Sequence, residues 1–364
     1  MFLTHQRVAG TPLDQLPVLW LAVTGTIEWV LDNVVGPLMD LLAEVLGTPM
    51  LGYPFMQRAY LAAVCIAVIG PLVGTFLVHR EMAMLSDTLA HTAFAGVAVG
   101  LFLNSALSLA LSPLLTAFVV AIVTALLVEL LVEHAGAYTD TSLAMVLTGG
   151  FAVGSILITA TDGGISVGID AYLFGSLATV STANVGILLL MSLIVGGLVT
   201  LTYRPLLYVT FDATAAQAAR LNVRRYKRLM VVLTALVVVS AMQIMGVFLV
   251  AAMLVVPVAA AARVARSFRQ SILLAILAGE FAAIAGVTLS YNYGIAAGGS
   301  IVVTAIGVYV ATFGFQKLAP SLRRLGQLRP GHSEAGLKAD GGEEKGVSNG
   351  PTPSRLADSP TSTS

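Results

Sequence analysis

Apolar residues run through this chain in long blocks, broken by short clusters of charge. No Asp, Glu, Lys or Arg occurs from Thr92 to Val128, from Ala171 to Tyr203, from Leu229 to Ala262 or from Phe281 to Gln316. A helix crossing the hydrocarbon core of a bilayer needs about 20 apolar residues. The blocks therefore predict spans near 59–78, 89–107, 113–132, 142–160, 183–202, 271–290 and 299–316. The block 229–262 is too long for one pass and tight for two, and Gln243 and Gly246 near its middle predict two short helices with a bend between them. About nine spans follow, within a range of seven to ten. The expected fold class is an all-α membrane protein, a polytopic helical bundle, because backbone facing lipid must satisfy its own hydrogen bonds.

Composition agrees. The chain is 57% hydrophobic and 10% charged, whereas a soluble domain carries roughly 25% charged residues. A soluble enzyme, a nucleic-acid binder and a disordered scaffold are excluded on that ground. The 19 basic and 19 acidic residues cancel, so only the placement of charge is informative. Lys and Arg mark the cytoplasmic side. Arg204, Arg220, Arg224, Arg225, Lys227 and Arg228 crowd into 203–228, Arg263, Arg266 and Arg269 follow, and Lys317, Arg323, Arg324 and Arg329 lie near the C-terminus. These regions and Arg80 are expected inside; 161–182 and 291–298 hold no base and are expected outside with the N-terminus. One loop gives no support: 133–141 should be cytoplasmic, yet it offers Glu133 and Asp140 and no base. Cys65 has no partner for an internal disulfide.

Two segments are not spans. From Ile27 to Leu46 apolar residues recur with helical period, while Glu28, Asp32, Asp40 and Glu44 fall on the other side. Residues 1–57 are expected to form an extracytoplasmic segment with an amphipathic helix in the outer interface. The stretch 58–318 is the expected transmembrane domain. Residues 319–364, rich in Gly, Ser, Thr and Pro beyond Pro330, are the expected disordered cytoplasmic tail. No cleavable signal peptide is expected. Within the spans, Gly70–Gly74, Gly96–Gly100 and Gly150–Gly154 keep the spacing that lets two helix backbones approach closely.

Candidate chemistry is sparse. Asp87 and His91 stand four apart at the start of the second span, and on a helix that spacing stacks them on one face. A carboxylate oxygen and an imidazole nitrogen form half a site for zinc, manganese or iron(II). The same pair also serves as an interfacial helix start, with Asp87 as the N-terminal acid and His91 hydrogen-bonded in the bundle. Glu280 lies inside an uncharged span, Glu129 ends one, and Asp140 precedes one. Asp162 and Asp170 fall in an outer loop, as does Gly164-Ile165-Ser166-Val167-Gly168, which matches the nucleophile-elbow pattern without its strand-turn-helix context. No Lys follows a Gly, so a phosphate-binding P-loop is absent.

An ordered series of short signatures over 54–316 resembles the permease subunit of the divalent-metal ABC importers, the family that moves zinc, manganese or iron(II) inward. The matches are Phe55-Met56-Gln57-Arg58-Ala59, Gly74-Thr75-Phe76-Leu77-Val78-His79-Arg80, Leu85-Ser86-Asp87-Thr88-Leu89-Ala90-His91 with Gly96, and Asp140-Thr141. They continue with Leu173-Phe174-Gly175, Phe211-Asp212 with Ala218, Gly246-Val247, Leu254-Val255-Val256-Pro257, Leu289-Ser290-Tyr291 and Gly298. The resemblance implies a type II importer permease architecture in the plasma membrane, working by alternating access as a homodimer. It implies a separate ATP-binding cassette ATPase that hydrolyses ATP, an extracytoplasmic metal-binding protein that delivers the cation, and no resident cofactor. It makes Asp87 and His91 transient metal ligands, and it makes 203–228 the cytoplasmic coupling segment, with Phe211, Asp212, Ala218, Arg220 and Asn222 in the motif that meets the ATPase.

Three departures stand out against the family pattern. Ala90 and Ala95 replace a common Ser and Pro around His91, Glu129 and Glu133 end a span that is usually basic, and Asn222 stands at a common Gly. Asn tolerates left-handed backbone, so the turn at 222 is expected to survive. Rival classes are a siderophore or corrinoid ABC permease and an ion-coupled secondary transporter, which would also show few intramembrane charges and Gly-interrupted helices. A membrane-embedded protease is disfavoured, since Ser166 has no histidine near it in the expected topology.

Overall fold

The computed structural model describes residues 25, 29–107, 112–135, 139–160, 172–175 and 180–327. The motif around Ser166, Asp162, Asp170, the start of the chain and the tail from Pro330 lie outside the described residues. Among the described residues the regular structure is helical throughout. A π-helical turn, Leu31–Val35, leads into α1 (Gly36–Leu46), and a short 3-10 turn (Pro49–Gly52) precedes α2 (Pro54–His79). Then come α3 (Met84–Leu107), α4 (Pro113–Ala135), α5 (Thr139–Thr159), α6 (Thr182–Leu201), α7 (Tyr203–Phe211) and α8 (Ala213–Ala218). The series closes with α9 (Val223–Met245), α10 (Val247–Val264), α11 (Phe268–Tyr293) and α12 (Ala297–Gln327).

Among the described residues seven helices are long and apolar enough to cross a membrane: α2, α3, α4, α5, α6, α11 and the part of α12 up to Phe315. They coincide with the seven expected spans. The remaining block divides as expected, α9 ending at Met245 and α10 beginning at Val247 with Gly246 between them. Local chemistry sets the helix starts. Prolines at the first positions of α2 and α4 need no amide partner there. Ser181 and Ser267 cap α6 and α11, their hydroxyls accepting from the N–H groups of Asn184 (3.2 Å) and Gln270 (3.3 Å).

The two central helices are α2 and α3, whose apolar windows are 72% and 61% buried, against 11–39% for the other five spans. The glycine pairs decide how they pack. A Cβ on Gly96 would lie 2.7 Å from Ala117 Cα, so α3 and α4 meet backbone to backbone. A Cβ on Gly150 would lie 2.6 Å from a methyl of Thr92, and one on Gly154 3.0 Å from the Phe94 ring, which closes α5 onto α3. Gly70 and Gly74 face the carbonyls of Met253 and Leu254 on α10. Small residues do here what apolar area cannot, since lipid is as apolar as any helix face.

Another tight junction joins three distant segments. Gly175 (φ +75°) faces Ile244 and Met245, Gly246 (φ +85°) faces Leu173, Phe174 and Gly175, and Gly298 faces Met245 and Phe174. The signatures Leu173-Phe174-Gly175, Gly246-Val247 and Gly298 thus form one knot of touching backbones at the end of α9. At the same end of the bundle, α1 turns Met39 and Ala43 toward the core and leaves Leu38, Leu41, Leu42 and Val45 exposed. The apolar stripe expected of this helix is largely uncovered.

Candidate functional site

Helix α3 carries the donor pair. From Met84 to Ala98 every residue is buried except Met84 and Asp87. Asp87 therefore interrupts an otherwise buried stretch of α3 that runs from Leu85 to Ala98. Its side chain is 43% exposed and that of His91 11% exposed, and His91 Nε2 stands 3.6 Å from Asp87 Oδ1. That separation brings both donors to one side but exceeds a good hydrogen bond, so the carboxylate is not spent on the imidazole. The His91 ring meets Phe151 of α5 edge-on with centroids 5.4 Å apart, and Phe151 in turn stacks on Phe94 at 5.8 Å. Neighbouring polar groups are turned inward: Thr88 Oγ1 donates to Met84 O (2.9 Å) and Leu143 O (3.3 Å). Ala90 and Ala95 are buried within an unbroken α3, so the Pro expected at the second position is not needed to shape this helix. Among the described residues no cluster of three or more His, Cys, Asp or Glu exists. Asp87 and His91 within one chain offer one carboxylate and one imidazole on the same side of α3.

The second group of expected residues lies at one end of the bundle. Phe211 ends α7, Asp212 caps α8, Ala218 ends α8, and Arg220 and Asn222 form the turn into α9. All five are exposed, around a small satellite core of Val209, Ala216 and Val223. Asp212 Oδ1 accepts from Thr214 N–H (2.9 Å), Thr214 Oγ1 (2.6 Å) and Ala215 N–H (2.8 Å). The hydroxyl of Thr214, helped by these amides, holds the carboxyl below its usual 3.8. The cap's stabilisation is present at neutral pH and is lost as pH falls through that lowered value. Amide exchange at Thr214 and Ala215 is expected to accelerate selectively below about pH 4, and uniform protection through that range would refute the cap.

The expected left-handed turn is displaced. Asn222 has φ −79° and caps α9, its Oδ1 accepting from Arg225 N–H at 3.2 Å, while the left-handed residue is Arg220 with φ +61°. An amide side chain at 222 thus serves as a cap rather than as a substitute for glycine.

The puzzling acids also find partners. Glu129 Oε2 accepts from Arg228 Nε at 3.0 Å, and Glu133 Oε1 lies 2.7 Å from Arg224 Nη2. The end of α4 carries acid because the start of α9 brings base to it. Sequence reasoning missed this pairing, although the signal existed: two acids four apart and two bases four apart are complementary faces of two helices. The pairs also put the 133–141 end of α4 beside the basic segment, on the side where alternation had placed it. Arg80, Glu129, Glu133, Gln217, Asn222, Arg224 and Lys227 line a common cavity of about 590 Å³. An aromatic cluster ties the same end together: Phe268 lies 5.0 Å from Phe76, 5.2 Å from His79 and 5.5 Å from Phe211 by ring centroids.

The model of the ABC 3 transport family matches residues 52–316. This chain belongs to that family. The manganese transport system membrane protein MntC of Halalkalibacterium halodurans is 32% identical over 268 residues, spanning 73% of this chain and 89% of its own. The manganese import system permease protein ScaB of Streptococcus gordonii is 30% identical over 273 residues, covering 75% and 94%. Among solved structures, PsaBC from Streptococcus pneumoniae in complex with Fab superposes with a TM-score of 0.66 at 28% identity, over 75% of this chain and 95% of that one. The matched residues begin after α1 and the π turn before it.

Proposed function

We infer that this ABC 3 family chain is the transmembrane permease subunit of an ATP-driven importer of a divalent metal cation, manganese being favoured by the names of its relatives. The observation that supports the reading is Asp87, a partly exposed carboxylate within the buried stretch 85–98 of a central helix. A charged group within a span costs on the order of 3 kcal/mol, and this one stays 43% exposed with the His91 imidazole 3.6 Å away. One oxygen and one nitrogen donor are too few to trap an ion that takes four to six ligands. A second copy of the chain facing Asp87 would add two more, and the resulting weak, exchangeable site suits passage rather than storage. Oxygen plus one imidazole suits manganese and iron(II) at least as well as zinc.

Energy comes from a separate ATPase docked on the exposed turn 211–222, and the cation from an extracytoplasmic binding protein. The C-terminus and the basic segments face the cytoplasm. Residues 1–57 lie outside, with Leu38, Leu41, Leu42 and Val45 of α1 set into the outer leaflet. In proteoliposomes holding this chain with its ATPase, manganese uptake is expected to need ATP and to cease without it. Uptake by this chain alone, driven by an ion gradient, would replace the reading with a secondary transporter. Asp212→Ala is expected to lower ATPase co-purification, whereas Asp212→Asn, an equally good helix cap, keeps it.

A further inference from the structure

The cavity at the cytoplasmic end contains more charge than docking requires. Glu129 is well enclosed, its side chain 11% exposed against 53% for its partner Arg228. It shares the cavity with a second cation, Arg80. Arg228 belongs to α9, directly after the exposed turn, and Arg80 belongs to the turn between α2 and α3. Burial lowers the Arg80 guanidinium from its ordinary value while the Glu129 carboxylate opposes that shift, so the two charges sense each other. One helical turn further along α4, Glu133 holds Arg224. The two ion pairs therefore tie the start of α9 to the end of α4, and the Arg80 turn, from which α3 carries Asp87, lines the same cavity. Helix α4 packs tightly onto α3 at Gly96 and Gly100, where Ala117, Val120 and Thr116 leave no room for a Cβ. A displacement of 211–228 cannot leave α4 behind without separating two ion pairs, one of them largely enclosed.

We propose that Glu129 and Glu133 are positioning residues of the transport cycle, which transmit movement of the 203–228 segment through α4 and the Arg80 turn to the helix bearing Asp87 and His91. The proposal rests on reading 203–228 as the ATPase-docking segment. Neither acid contacts the cation or lies in the exposed docking turn. Their role is to keep the docking segment and the donor helix moving together. Breaking a buried charge pair by removing one partner leaves the other uncompensated, so the enclosed pair should matter more than the exposed one.

The test uses the reconstituted complex of this chain with its ATPase, reading ATPase co-purification, basal ATP hydrolysis and its stimulation by manganese. Glu129→Gln and Glu133→Gln are expected to leave co-purification and basal hydrolysis intact and to lower manganese stimulation by about fivefold or more, Glu129→Gln the more severely. Glu133→Arg should lose stimulation likewise, and Arg224→Glu placed with it should restore at least half, because the exchanged pair re-forms across the same gap. Full stimulation in the Gln variants overturns the proposal, as does a doubly exchanged protein that melts like the parent and regains no stimulation. Loss of co-purification in the Gln variants would also overturn it, since the acids would then serve docking itself. Failure of the unaltered chain to bind an ATPase is a distinct result, and it would strike the functional reading instead.

Discussion

Asp87→Ala is expected to abolish metal-stimulated ATP hydrolysis and uptake while leaving the protein folded. Removing even the hydrogen-bond partners of metal ligands costs about 10–100-fold in affinity or activity, so loss of one of the two proposed ligands should reach at least the upper end. The Asp87 side chain is 43% exposed and is not part of the apolar core. The melting temperature in detergent should therefore hold. Asp87→Asn keeps one oxygen donor but loses the charge, and should retain a small residue of activity. His91→Gln is expected to lose activity to a comparable extent. It is the better histidine variant because the imidazole edge packs on Phe151, and truncation to Ala would add a void. If both donors can be replaced with uptake unchanged, the cation takes another route, and the helix-start reading of Asp87 and His91 prevails.

Gly246→Ala is expected to produce the largest loss of folded protein of any single methyl added to the chain. Gly246 has φ +85° and ψ 155°, a region that is essentially glycine-only and costs a side-chain-bearing residue on the order of 1–3 kcal/mol. The added Cβ would also lie 2.6 Å from Gly175 N and Phe174 C, backbone atoms that cannot rotate away. Strain and overlap reinforce each other, since relieving one requires moving the knot that causes the other. The matched control is Gly299→Ala, one position beyond Gly298, where nothing lies within 4 Å of an added Cβ. The thermal midpoint in detergent should drop by many degrees in the first and stay in place in the second. Equal midpoints would show that the junction of 173–175, 246 and 298 is not tightly closed.

The spans were legible because a charge-free run long enough to cross lipid has few other destinations, and the break at Gly246 was legible because its block exceeded one pass. The glycine spacings announced close helix contacts but not which helices met. That Gly150 and Gly154 face α3 while Gly70 and Gly74 face α10 depends on the fold of the whole bundle. Similarly, the four-residue interval between Asp87 and His91 stacks the pair, but it could not reveal that Asp87 stays partly exposed within the buried stretch 85–98. That depends on where α4 and α5 stop covering α3. The acids at 129 and 133 looked like departures from the family pattern because each was weighed against its own helix. Their meaning lies across a long sequence separation, in Arg228 and Arg224. Asn222 was matched to the wrong role for a local reason: its side chain competes for a backbone amide and becomes a cap, leaving Arg220 to take the left-handed conformation.

Helix α9 is fastened differently at its two ends. At Met245 and Gly246 it touches Leu173, Phe174, Gly175 and Gly298 main chain to main chain, with no side chain to yield; at Arg224 and Arg228 it is held by charges on flexible stems. Such a rod swings like an oar in a rowlock. Under the proposed docking role, a displacement applied at 211–228 would carry the start of α9 further than its end.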